Sequence, residues 1–111
     1  MKYSDRDRLD RIYSKGKALL EYLQENAITR EDLLTLTPIQ WLVTTPLYNI
    51  GEHVYYLSDE FKNMHSDIPW AMISGLRHRL VHDYDGTNWS IICDVVFDEL
   101  PEFINQIKSL L

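Results

Sequence analysis

The chain has 111 residues, of which 45% are apolar and 25% charged, an ordinary globular balance that argues against disorder. That length sets the expectation of one domain over residues 1–111, and the 4 Gly and 4 Pro are too few for a turn-rich β-sandwich. A single cysteine, Cys93, excludes an internal disulfide or multi-thiolate metal site, and the formal charge of −6 disfavours a broad phosphate-binding surface.

No run approaches the ~18 apolar residues of a membrane span. The opening Met1-Lys2-Tyr3-Ser4-Asp5-Arg6-Asp7-Arg8 is too charged for a secretory leader. A cytoplasmic protein is expected. The first predicted helix opens at Ser4 as N-cap and carries Leu9, Ile12, Tyr13, Gly16, Leu19, Leu20 and Leu23 at helical spacing to about Asn26. Thr29 and Asp32 signal the cap of a short extra helix over 31–36. Thr37-Pro38 restarts the chain, with Thr37 as N-cap and Pro38 first in the helix. Val43, Leu47, Ile50, Val54, Leu57 and Phe61 then step as one packing seam, with Pro46 expected to kink or split it. Gly51 in the same seam suggests close packing against a neighbour.

A third helix starts at Pro69, carries Trp70, Ile73, Leu76 and Leu80 inward, and stops at Asp85-Gly86. The last helix follows Thr87 or Asn88, with Ile92, Val96, Leu100, Phe103, Ile107 and Leu110 as its stripe and a bend at Pro101. Four long helices with short links predict an all-α, up-and-down four-helix bundle with one extra short helix. Trp41, Trp70 and Trp89 are expected as core or interface anchors, and Cys93 as a buried small hydrophobe. His53 and His65 are expected at the surface or at helix caps, and Asp5, Asp7 and Asp10 on a solvated face.

The chain contains no Gly-rich phosphate loop, Gly-x-Ser-x-Gly elbow, His-Glu-x-x-His or Glu-x-x-His pair, so neither metal catalysis nor a cofactor is suggested. What remains is the third helix and its exit, where residues 68–82 hold Arg77, His78, Arg79 and His82 after an acid-free run. One reading is a helix C-terminus whose cations complement the macrodipole. The other is phosphate chemistry, with arginine as a fixed planar cation and histidine as a proton carrier near neutral pH. An RNA 2′-hydroxyl attacking its own phosphate needs both services. Arg77 and His82 lie roughly 140° apart around an ideal helix, so they converge only if the helix end unwinds or a second subunit contributes. His78 and His82 share a face, but two imidazoles without a third ligand make a weak metal site.

The run Arg77-x-x-x-x-His82-x-Tyr84 resembles the motif of the HEPN ribonuclease superfamily, specifically the HepT-like toxins of prokaryotic toxin–antitoxin pairs. Ile50-Gly51-Glu52, Ile68-Pro69-Trp70 and Asp98-Glu99-Leu100-Pro101 are similar to further landmarks of that family, in the family's order, the last with Glu99 as an extra residue. His78 departs from the small polar residue, most often Asn, that usually follows the motif arginine.

The resemblance implies an all-α HEPN-like bundle that homodimerises, with its two motifs facing one another across a composite cleft. It implies a toxic, metal-independent endoribonuclease with Arg77 and His82 as catalytic residues and His78 as an auxiliary group orienting phosphate. The implied partners are RNA and a minimal nucleotidyltransferase antitoxin that transfers AMP from ATP to Tyr84. A rival reading keeps the nucleotidyltransferase partner and drops RNA cleavage, and His78 supports it. A purely structural dimeric bundle is the third reading.

Overall fold

Capping chemistry sets where the helices begin. The computed structural model describes residues 3–81 and 86–111, and every regular element among them is helical. They are α1 (Asp5–Glu25), α2 (Arg30–Thr35), α3 (Thr37–Tyr55), α4 (Asp59–Met64), α5 (Trp70–Ser74), α6 (Leu76–Val81) and α7 (Trp89–Asp94). A π-helical segment (Val95–Glu99) then leads directly into α8 (Leu100–Ser109).

Ser4 and Asp7 form a reciprocal capping box at α1, and Thr29 and Asp32 do the same at α2. Asn88 caps α7 by accepting from the Ser90 and Ile91 N–H groups, which settles the choice between Thr87 and Asn88. Leu36 occupies the cap position of α3 without a side-chain bond, so Thr37 is already inside the helix. Pro69 likewise sits one position before α5.

Two expectations about the second long helix are corrected. It is not split at Pro46, because a proline removes one hydrogen bond while packing holds the remaining turns. It ends at Tyr55, so Phe61 belongs to α4. The cause is local: the Ser58 hydroxyl accepts from the Phe61 N–H at 3.1 Å and starts a new helix. Asp5 of α1 accepts from both the Ser58 N–H (2.9 Å) and its hydroxyl (2.7 Å), so Asp5 is a tertiary anchor rather than part of a solvated face.

Four helical rods make the bundle: α1, α3, the α5–α6 pair, and the run from α7 through the π segment to α8. The first rod packs on α3 and α8, and α3 packs on α5 and α6. Trp70 of α5 closes the ring edge-on to Phe103 of α8, their centroids 5.9 Å apart. Leu9, Ile12, Val43, Leu47, Ile50, Ile73, Leu80, Ile92, Val96 and Phe103 fill the core between them. Close approach at two glycines makes this possible. A Cβ on Gly16 would collide with Ile104, and one on Gly51 would lie 3.1 Å from both the Arg77 nitrogen and the Ile73 carbonyl oxygen.

The π segment ends on Glu99, the residue extra to the Asp-Leu-Pro pattern, and one added residue is what a π turn accommodates inside a helix. Arg30, at the start of α2, ties this region down by pairing with Asp94 at 2.6 Å and with both oxygens of Asp98 at 2.9 Å. Cys93 is buried, and its thiol is pushed above its ordinary pKa chiefly by that burial. Trp70 is in the core and Trp89 packs against it, but Trp41 is 60% exposed and departs from a core role. His65 follows α4 at its cap position, as expected, and its carbonyl accepts from the Trp70 indole.

Candidate active site

Gly51 decides where the site lies. With no side chain in the way, α3 meets the backbone of the third rod at Ile73 and Arg77. The next residue along α3, Glu52, is thereby set beside the Arg77 side chain, with Glu52 Oε1 and an Arg77 guanidinium nitrogen 3.3 Å apart. Both side chains are part-buried, at 28% and 30% exposed, so solvent screens this pair less than it would a fully exposed one. Tyr55, one helical turn beyond Glu52, lays its ring 4.0 Å from the Arg77 guanidinium carbon. This is cation–π range, a second contact that restrains the guanidinium.

Tyr48, one turn before Glu52, completes the brace. Its phenol is held above the ordinary tyrosine pKa, first by its hydrogen bond to Glu52 and then by burial, since losing the proton would forfeit the donated bond. Tyr48, Glu52, Tyr55 and Tyr56 thus form one face of α3, opposite the seam of Leu47, Ile50 and Val54. The brace was missed in the sequence, although i, i+4 and i, i+7 spacing of polar and aromatic residues was its visible signal.

His78 follows Arg77 on α6 and is exposed. The Thr87 hydroxyl donates to the Arg79 carbonyl at 3.0 Å, which ties the approach to the last rod to the end of α6. His82 and Tyr84 lie outside the described residues. So does half of the His78–His82 pair; among the described residues, no group of three His, Cys, Asp or Glu side chains is placed to hold a metal.

His53 is corrected from a surface histidine to a buried one, at 7% exposure. Arg8 of α1 lies 3.1 Å from its Nδ1. Arginine can only donate, so Nδ1 accepts and the ring is neutral at that nitrogen. Burial lowers its pKa first, with Arg8, Arg11 and Lys15 adding to the effect against the opposing charge of Glu52. A separate groove of about 330 Å³ between α1 and α3, lined by Tyr22, Leu42 and Pro46 among others, shares no residue with the Arg77 cluster.

The arrangement offers a half-buried, pre-oriented guanidinium on α6. A planar cation of this kind has the chemistry to pair with an oxyanion such as a phosphate. The family described as "Ribonuclease HepT-like" matches residues 12–110. A Caldanaerobacter subterraneus protein described as a "putative RNase" is 34% identical over 106 residues, 96% of this chain and 93% of its own. A Thermococcus cleftensis protein described as "probable ribonuclease HepT" is 29% identical over 99% of this chain and 98% of its own. A Methanocaldococcus jannaschii "putative RNase" is 34% identical over 78% of this chain and 71% of its own. No solved structure matches the chain with significance.

Proposed function

This chain belongs to the HepT-like ribonuclease family, and from that premise we propose that it is a toxin-type, metal-independent endoribonuclease. The observation that supports this reading is the braced Arg77, held by Glu52 and Tyr55 on α6. His82 takes the proton from an RNA 2′-hydroxyl, whose oxygen bonds to the adjacent phosphorus. Arg77 stabilises the charge that builds on the phosphoryl oxygens. The bond from phosphorus to the 5′-oxygen breaks, that oxygen takes up a proton, and a cyclic phosphate remains. One chain carries a single motif, so a homodimer supplies the second imidazole as the acid. His78 orients the phosphate as an auxiliary donor.

Control falls to a minimal nucleotidyltransferase antitoxin, which transfers AMP from ATP to the Tyr84 oxygen and releases pyrophosphate. The attached nucleotide would set a negative phosphodiester and a purine on the RNA path. The deciding assay is cleavage of single-stranded RNA by unmodified protein in EDTA. A cyclic phosphate end is expected, with His82→Ala and Arg77→Ala each losing ~100-fold or more in rate. Chelator-sensitive cleavage, or full activity without His82, overturns the mechanism. For the control step, intact mass after incubation with antitoxin, ATP and Mg²⁺ should rise by AMP units at Tyr84. Full neutralisation of Tyr84→Phe would show masking instead. His78, in the place of the usual Asn, favours one second reading, a binding partner of the nucleotidyltransferase that does not cleave. Its mark is complex formation with no RNA cleavage.

A further inference from the structure

An acidic protein that acts on RNA needs its cations concentrated, and here they are interleaved with aromatic rings. Arg77 lies between two tyrosines, 4.0 Å from the Tyr55 centroid and 5.7 Å from that of Tyr56. Arg8 lies between Tyr56 and Tyr3, at 5.3 and 5.4 Å. Arg11 covers Tyr3 at 4.3 Å. The strip therefore runs Arg11, Tyr3, Arg8, Tyr56, Arg77, Tyr55 without a gap, from the start of α1 across the end of α3 to α6. Tyr55 and Tyr56 are each at least half exposed, at 50% and 53%, although folding could have buried them. Their rings meet edge to face, 5.0 Å between centroids, so they present differently oriented faces.

We propose that this strip is a binding track for single-stranded RNA, with bases stacking on the tyrosine rings and phosphates meeting the guanidiniums, so that the strand is led to Arg77. The proposal rests on the ribonuclease reading and extends it from the reacting phosphate to the flanking nucleotides. Alternation of cation and ring is what a single strand requires, because it offers alternating phosphates and unpaired bases. A lipid surface or an apolar partner would need no such alternation.

Two further features mark the strip as built. Arg8 is anchored from below by the buried His53, which spends its Nδ1 lone pair on a surface cation. Of the nearby acids, Asp5 accepts from Ser58 and Glu52 pairs with Arg77, while Asp7 and Asp10 share a groove with Arg11. The charges facing the His53 ring are Arg8, Arg11 and Lys15 against Glu52, so cations outnumber acids here on a chain of net charge −6.

The test is fluorescence anisotropy with a short labelled single strand bearing 2′-O-methyl groups, which cannot be cleaved by attack of its own hydroxyl. Tyr55→Ala and Tyr56→Ala should each weaken binding ~10-fold, the scale of one lost base stack, while Tyr55→Phe and Tyr56→Phe keep the ring and bind within about twofold of wild type. Arg11→Ala should flatten the salt dependence by about 0.7 in the log–log slope, one phosphate contact on a single strand. An abasic strand of equal length should bind wild type and Tyr56→Ala alike. Trp41→Ala, an exposed aromatic outside the strip, should bind as wild type. Protein that cleaves RNA and needs Arg77, yet binds the strand equally with or without the two rings, overturns the track and leaves the ribonuclease reading standing. Tyrosine variants that change the mass by light scattering, and not RNA affinity, identify the strip as a contact between protein copies and also overturn it. Wild type that neither binds nor cleaves overturns both.

Discussion

A guanidinium on a flexible stem loses rotamer freedom when it grips a phosphate, and at position 77 much of that freedom is already gone before substrate arrives. Glu52 pairs with one edge of the fork and Tyr55 adds a second restraint. The same carboxylate also repels an incoming phosphate. Glu52→Gln should therefore lower kcat roughly tenfold through looser positioning while KM stays level or falls, a split that a steady-state assay on a fluorogenic RNA reads directly. A rise in KM with kcat unchanged would mean that Glu52 serves binding alone. His53 makes a different residue-scale case. Its folded pKa lies below the unfolded value of ~6.5, so the unfolded chain takes the proton first. Stability present above that value is lost as pH falls through it toward the folded pKa. Arg8, Arg11 and Lys15 of α1 and Glu52 of α3 are the charges facing the ring. Wild type should lose more Tm than His53→Gln between about pH 7.5 and about pH 5.5, since glutamine keeps an acceptor for Arg8 and does not titrate. Parallel Tm curves would remove His53 from the account.

At the scale of the element, the contact between α3 and the third rod is the one on which the site depends. A Cβ at Gly51 meets backbone atoms of Ile73 and Arg77, which cannot rotate aside as a side-chain tip can. Gly51→Val should therefore cost about 1–3 kcal/mol in urea unfolding and shift Arg77 away from Glu52, with activity falling more than stability explains. Among the described residues nothing lies within 4 Å of a Cβ at Gly86, so Gly86→Ala should be close to neutral. Helix starts were legible in the sequence at Ser4 and Thr29, and to within one residue at Asn88, because a cap is a bond between residues two or three apart. The end of α3 at Tyr55 was not. The apolar seam continues to Phe61 in register, and the break comes from the Ser58 cap together with Asp5 of another helix. Nor was the π segment legible, since Ile92, Val96 and Leu100 keep nearly the same spacing with or without it.

For the whole molecule, charge and symmetry carry the argument. With a net charge of −6, wide phosphate binding is disfavoured, and the proposed track confines it to Arg8, Arg11 and Arg77. The Cα radius of gyration, 13.6 Å, is close to the ~13 Å of a compact body of this length, and the proposed composite cleft draws its second His82 from a second copy of that body. The expected mass by light scattering at micromolar concentration is that of a homodimer. A monomer retaining activity would reject the composite cleft. Among the described residues, no helix is long and apolar enough to cross a membrane.

What the sequence determined by itself was the all-helical class, most of the helix starts and the inward face of each rod. These follow from periodicity and capping, which act within a few residues and survive in any context. Tertiary structure alone decided that Glu52 braces Arg77, that His53 is buried beneath Arg8, and that Tyr3 joins Tyr55 and Tyr56 in one strip. Each of those pairings joins different helices, and periodicity says which face of a helix turns inward without saying which neighbour it meets. Gly51 is where the two levels join: the sequence marks a glycine in a packing seam, and only the assembled bundle shows Ile73 and Arg77 in the space it leaves.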